Sequence, residues 1–139
     1  MDLIIYHKDC PDGFCAAFIA KDKKYPEATL LGTTYGEIPP LDVIRGKRVL
    51  VVDFSWPRPV VEQMSRDARS ILFLDHHKTA EADLVGLPCA IFDMNRSGAT
   101  LTWDTLFPAS PRPWYVNYVE DRDLWRWALP DSKEVSGFI

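Results

Sequence analysis

The sequence predicts an α/β fold, a Rossmann-like three-layer open sheet, mostly parallel, with crossover helices. Two observations carry that reading. Short continuous apolar runs recur along the chain, as in strands covered on both faces, and segments with helical spacing separate them. The size agrees: 139 residues with 47% hydrophobic and 26% charged side chains form one ordinary domain, long enough to fold without disulfides or a structural metal.

Taken in order, Leu3 to His7 is the first apolar run. The segment from Asp12 to Ala20 then carries Phe14, Ala17 and Phe18 at helical spacing. Thr29 to Thr33 is a second strand, closed by Gly36 and Pro39-Pro40. The clearest strand is Arg48 to Phe54, β-branched and continuous. A helix follows, in which Ser55 can cap, Pro57 and Pro59 suit the first turn, and Val60, Val61 and Met64 share a face. Ser70 to Asp75 and Cys89 to Phe92 are further strands. Ser97 and Gly98 open a helix whose Leu101, Thr105 and Leu106 can face a core, and Trp114 to Leu124 is a weaker helix.

Composition excludes several functions. A net charge of −4, from 20 acidic and 16 basic residues, gives no basic field for tight duplex binding. No apolar run reaches the roughly 18 residues that span a bilayer, and the start lacks a signal peptide's basic flank. A cytoplasmic protein that does not engage membranes is expected. Three cysteines, Cys10, Cys15 and Cys89, make no even framework and no CxxC pair, so reduced thiols are expected.

Ionisable residues gather at strand ends, where open α/β sheets bind ligands. His7 ends the first strand, with Asp9 and Asp12 just beyond; Asp53 ends the Val-rich strand; Asp75-His76-His77 ends the Ser70 strand. All three histidines of the chain are among them. Taken singly, Asp12, Asp53 or Asp75 is an ordinary helix cap and a lone histidine a structural residue. Convergence changes that, because carboxylates buried together without cations cost several kcal/mol each. The Asp and His inventory suits manganese or magnesium, and a pair of such ions can clamp a phosphoryl group.

Tyr6-His7-Lys8-Asp9-Cys10-Pro11-Asp12-Gly13-Phe14, Val51-Val52-Asp53, Leu74-Asp75-His76-His77 and Glu120-Asp121-Arg122-Asp123-Leu124-Trp125, in that order, resemble the DHH phosphoesterase superfamily. Its members include RecJ-type exonucleases, nanoRNA-degrading oligoribonucleases, cyclic dinucleotide phosphodiesterases and manganese-dependent pyrophosphatases. The resemblance spans about residues 3 to 127 and implies a hydrolase acting on short oligonucleotides, cyclic dinucleotides or phosphoanhydrides. It implies two Mn²⁺ (or Mg²⁺) ions, one of them weakly held. His7 and Asp12 become metal ligands, Asp53 the bridging carboxylate, and His76 the motif's histidine ligand. Asp75 orients His76, His77 faces the substrate phosphate or leaving group, and Asp121 supplies the fourth carboxylate with Asp123 as its rival. Many members carry an aspartate where Cys10 stands, so Cys10 or a shifted Asp9 completes the first site, or that site is weak.

Ser97-Gly98-Ala99 resembles the family's phosphate-facing turn, with Arg96 beside it; an N-cap is the plainer role for Ser97. Trp125 and Trp127 flank Arg126 in a stretch that could stack bases of short single-stranded nucleic acid. The family adds a C-terminal substrate-binding domain, and no glycine-rich phosphate motif follows Trp127. The expectation is therefore a single DHH catalytic domain, residues 1–139, completed by a missing domain, a partner or a second copy. Two competing readings are a catalytically weak DHH-like binding or scaffold module, which Cys10 favours, and a nucleotide-binding domain without phosphoesterase chemistry. Against the latter, no G-x-G-x-x-G follows the first strand.

Overall fold

The computed structural model describes residues 1–137. Five strands form one parallel sheet: β1 (Leu3–His7), β2 (Thr29–Thr33), β3 (Arg48–Val52), β4 (Ser70–Asp75) and β5 (Ala90–Phe92), in the order β2-β1-β3-β4-β5. Seven α-helices are described: α1 (Pro11–Phe18), α2 (Leu41–Ile44), α3 (Arg58–Asp67), α4 (Lys78–Leu84), α5 (Gly98–Leu106), α6 (Trp114–Asp123) and α7 (Ser132–Ser136). The predicted α/β class is what the chain adopts, with a sheet that is parallel throughout.

Strand alternation distributes the core. Leu3, Ile5, Val49, Val51 and Phe73 point to one face, where Ile44, Val61, Met64 and Leu84 from α2, α3 and α4 cover them. Ile4, Leu50, Val52 and Leu74 point to the other, against Ala16 and Ala17 of α1 and Leu101 of α5. A third cluster, Cys15, Ile19, Ala99, Trp103, Val116 and Val119, stacks α6 onto α1 and α5. Each large aliphatic side chain buried in this way contributes about 1.5–3 kcal/mol.

Several local expectations are corrected. Helix α1 turns its small residues to the sheet and leaves Phe14 62% and Phe18 43% exposed, because only alanines let the helix lie this close. It ends in a π-helical turn, Ile19–Lys24, where Lys21 Nζ donates to Pro26 O and Ala28 O at 3.0 and 2.7 Å. Strand β3 stops at Val52, since Asp53 takes a left-handed φ of 57°. Ser55 does not cap α3, whose N-cap is Pro57; its hydroxyl donates to Asp75 instead. Helices α2, α4 and α7 had no distinct signal: the first and last are four and five residues long, too short for a periodic pattern.

The strand order reverses between β1 and β3, so the crevice beyond their carboxyl ends lies at the topological switch point. His7 closes β1, Asp53 follows β3, and Asp75 closes β4.

Candidate metal centre

Two donor sets meet at the Asp53 carboxylate, which is 1% exposed. On one side, Oδ2 lies 3.5 Å from His7 Nδ1 and 3.6 Å from Cys10 Sγ. On the other, Oδ1 lies 3.0 Å from His76 Nε2. The same His76 nitrogen is 3.3 Å from Asp12 Oδ2 and 3.4 Å from Asp123 Oδ2. His7, Cys10 and Asp53 form one group of donor atoms within 4.8 Å of one another, and Asp12, His76 and Asp123 form another.

This assembly is under-compensated without a cation. One imidazole nitrogen cannot satisfy three carboxylates, having one proton to give. Burial, and then the Asp53 charge, push the Asp12 carboxyl up to about 7, and burial also raises Asp123. Burial would raise Asp53 as well, but the His7 and His76 imidazoles outweigh it and hold that carboxyl below the usual range. His76 is driven up to about 11: burial opposes its charge, and Asp12 and Asp53 overcome that opposition. The Cys10 thiol is pushed up to about 11 by burial. On the first side, His7 Nδ1 is buried and makes no hydrogen bond, the state of a nitrogen whose partner is something other than the surrounding protein. Carboxylate, imidazole and one thiol fit a divalent ion on each side, with Asp53 common to both.

Two glycines allow the convergence. A Cβ on Gly13 would overlap the His7 carbonyl, so only glycine lets α1 start against the end of β1. A Cβ on Gly98 would lie 2.7 Å from Asp53 Cβ and 3.0 Å from Asp12 Oδ2. The left-handed Asp53 is itself held in place, its N–H donating to Leu74 O at 2.8 Å.

The expected roles are redistributed at four points. First, Cys10 rather than Asp9 joins the His7 set: Asp9 adopts a φ of 60° and its side chain is exposed. Second, the aspartate of this stretch that reaches His76 is Asp123, not Asp121. Asp121 accepts from Ala128 N, Leu129 N and Ser132 Oγ, and so ties the end of α6 to the start of α7. The expected consequence is a clean separation. Asp121→Ala should lower stability by about 2–3 kcal/mol, the scale of hydrogen bonds to a charged group, with manganese affinity retained. Asp123→Asn should weaken manganese binding and leave the metal-free melting temperature within a few degrees. Calorimetry on both variants checks this.

Third, Asp75 orients His77 rather than the His76 ring. Its Oδ1 accepts from His77 Nδ1 at 2.6 Å and from the His76 backbone N–H at 2.8 Å, and its Oδ2 accepts from Ser55 Oγ at 2.8 Å. The Asp75 hydrogen bond raises the His77 pKa. Fourth, Ser97, Gly98 and Arg96 do not form a phosphate cradle. The α5 N-terminus is already filled: Gly98 N and Ala99 N donate to Asp12 at 2.7 and 2.8 Å, and Thr100 N donates to Ser97 Oγ. Ser97 N and Thr100 Oγ1 donate to Glu120. Arg96 pairs with Asp93 and Asp104.

No family model matches this chain. An uncharacterized protein, R106, from Acanthamoeba polyphaga mimivirus is 32% identical over an alignment of 153 residues covering 96% of this chain and 36% of the relative. The chain thus spans about a third of that relative's length. A crystal structure of an uncharacterized protein from Helicobacter pylori G27 shares the fold, with a TM-score of 0.75 at 17% identity over 92% of this chain and 45% of that one. Among the described residues, no helix is long and apolar enough to cross a membrane.

One residue at the site had gone unnoticed in the sequence. Tyr35, in the loop after β2, stacks on Phe54 with ring centroids 4.6 Å apart and meets the His7 ring edge-on at 5.3 Å. Its hydroxyl lies 3.4 Å from His77 Nδ1. No motif marks it; only the loop's return across the switch point brings it there.

Proposed function

We propose that this chain is a divalent-metal-dependent phosphohydrolase of the DHH type, cleaving a phosphodiester or phosphoanhydride. The observation that carries the reading is Asp53, one buried carboxylate with a different donor set at each oxygen. His7, Cys10 and Asp53 Oδ2 would hold one ion, and Asp53 Oδ1, Asp12, His76 and Asp123 the other. Manganese or magnesium held there supplies an activated water and neutralises phosphoryl charge.

The rest of the chemistry belongs to side chains. Asp12 is locked by two backbone N–H groups of α5, so its position costs nothing on substrate binding. An imidazole nitrogen 2.6 Å from a carboxylate carries the proton, so Asp75 fixes His77 with Nδ1–H and reserves Nε2 for the substrate. Protonated, His77 stabilises charge on the phosphoryl oxygens or passes a proton to the leaving oxygen. Tyr35, against His77 and His7, steadies that imidazole. Tyr35→Ala is expected to retain manganese affinity and to lower kcat by up to about tenfold, the scale of one aromatic pair, whereas Tyr35→Phe keeps the rings packed and kcat within about twofold; steady-state kinetics read the change.

The test is manganese-dependent hydrolysis of pyrophosphate, tripolyphosphate, cyclic dinucleotides and short oligonucleotides. Turnover of at least one substrate, lost in His76→Ala, is expected. Tight manganese binding with no turnover of any of them would favour the second reading, a DHH-like binding module. Cys10, standing where many DHH members carry a carboxylate, is the observation behind that alternative.

A further inference from the structure

We infer that the two sides of the centre select different ions: the His7, Cys10 and Asp53 side takes a thiophilic ion of the zinc class, while the Asp12, His76 and Asp123 side keeps manganese or magnesium. The inference rests on the phosphohydrolase reading and adds to it the metal that each side holds.

The two sides form a matched comparison. Each contributes one imidazole nitrogen, His7 Nδ1 or His76 Nε2, and one oxygen of Asp53. What differs is the remainder: the Cys10 thiol on the first side, the Asp12 and Asp123 carboxylates on the second. Carboxylate oxygens suit hard ions such as manganese and magnesium, whereas a thiolate is a soft donor that selects zinc. Preference is therefore set by the groups that the sides do not share. A pair of manganese ions fits the second side well and the first poorly.

Donor number and spacing agree. The first side offers three protein atoms, a nitrogen, a sulfur and an oxygen, which is the ligand count of a catalytic zinc whose fourth position is open to water. Zinc bonds of about 2.0–2.3 Å in a tetrahedral arrangement put neighbouring donors about 3.3–3.8 Å apart. His7 Nδ1 and Cys10 Sγ lie 3.5 and 3.6 Å from Asp53 Oδ2. The second side is dominated by carboxylate oxygens, the donors with which a magnesium-class ion builds an octahedron completed by water. Cys10 is also the one thiol placed to act here. Cys15 is packed in the cluster between α1 and α6, and Cys89 Sγ lies 3.3 Å from Ser65 Oγ on α3.

Zinc outbinds manganese at most nitrogen and oxygen sites, so the order of replacement and its dependence on Cys10 decide the matter. With manganese as the only ion offered, both sides fill. Titration of that manganese-loaded protein with Zn²⁺, followed by electron paramagnetic resonance, should release one manganese with the first equivalent and turn an exchange-coupled spectrum into that of a single bound ion. Cys10→Asp should raise the zinc needed for this step at least about tenfold while both manganese ions still bind. One equivalent of Co²⁺ added to the metal-free protein, as a coloured substitute for zinc, should give a thiolate-to-cobalt absorption band in the near ultraviolet. The band should be absent in Cys10→Ser, whose retained manganese binding on the second side verifies the fold. Parallel replacement of both manganese ions, an unchanged zinc requirement in Cys10→Asp, or cobalt binding without the thiolate band overturns the mixed centre and leaves the hydrolase reading standing. Absence of binding by any of the three ions overturns both.

Discussion

Asp53→Asn should abolish manganese binding on both sides of the centre and lower hydrolysis by at least about a thousandfold. The size follows from what the ions supply: bound water can fall from a pKa of 15.7 to about 7, and no other group at the site replaces that. Asparagine is the informative replacement because position 53 has a φ of 57°. Asparagine tolerates the left-handed region, whereas alanine would add backbone strain to the loss of charge. Without metal, the variant should melt somewhat lower than the parent, since the charge it removes is one that the His7 and His76 imidazoles stabilise in the folded chain. With manganese at a hundredfold over Kd, the parent alone should gain about 2.7 kcal/mol of stability. Thermal melts with and without the ion give both comparisons.

Gly98→Ala should damage the centre without touching a donor atom. The added methyl would sit 2.7 Å from Asp53 Cβ, 2.9 Å from Asp53 Oδ1 and 3.0 Å from Asp12 Oδ2, so both carboxylates or the whole of α5 must move. Overpacking of this kind costs about 1–3 kcal/mol. It also breaks the short bonds from Gly98 N and Ala99 N that fix Asp12. Manganese affinity and stability should therefore fall together although every donor atom is still present. A variant that bound manganese like the parent would mean that the approach of α5 to β3 is not what shapes the site.

The contrast also explains what could be read from sequence. Strands were legible because a parallel sheet covered on both faces writes continuous apolar runs, and their ends named His7, Asp53 and His76 directly. The remaining assignments depend on angles that residue order does not encode. Asp121 and Asp123 are two apart on a helix and so point in nearly opposite directions, and the phase of α6 decides which one reaches His76. Asp9 and Cys10 are adjacent, and a single left-handed residue selects the thiol. The α5 N-terminus looked available to phosphate because Asp12, which fills it, comes from 86 residues earlier. Phe14 and Phe18 had helical spacing appropriate to a core, but the alanines on the opposite side of α1 fit the sheet more closely.

In the proposed centre one carboxylate joins two metal sites, and titration of the protein with Mn²⁺ followed by electron paramagnetic resonance reads out that junction. Two ions per chain with an exchange-coupled spectrum, collapsing to no bound ion in Asp53→Asn, is the predicted result. A single uncoupled ion at saturation, or coupling that persists in Asp53→Asn, would contradict it.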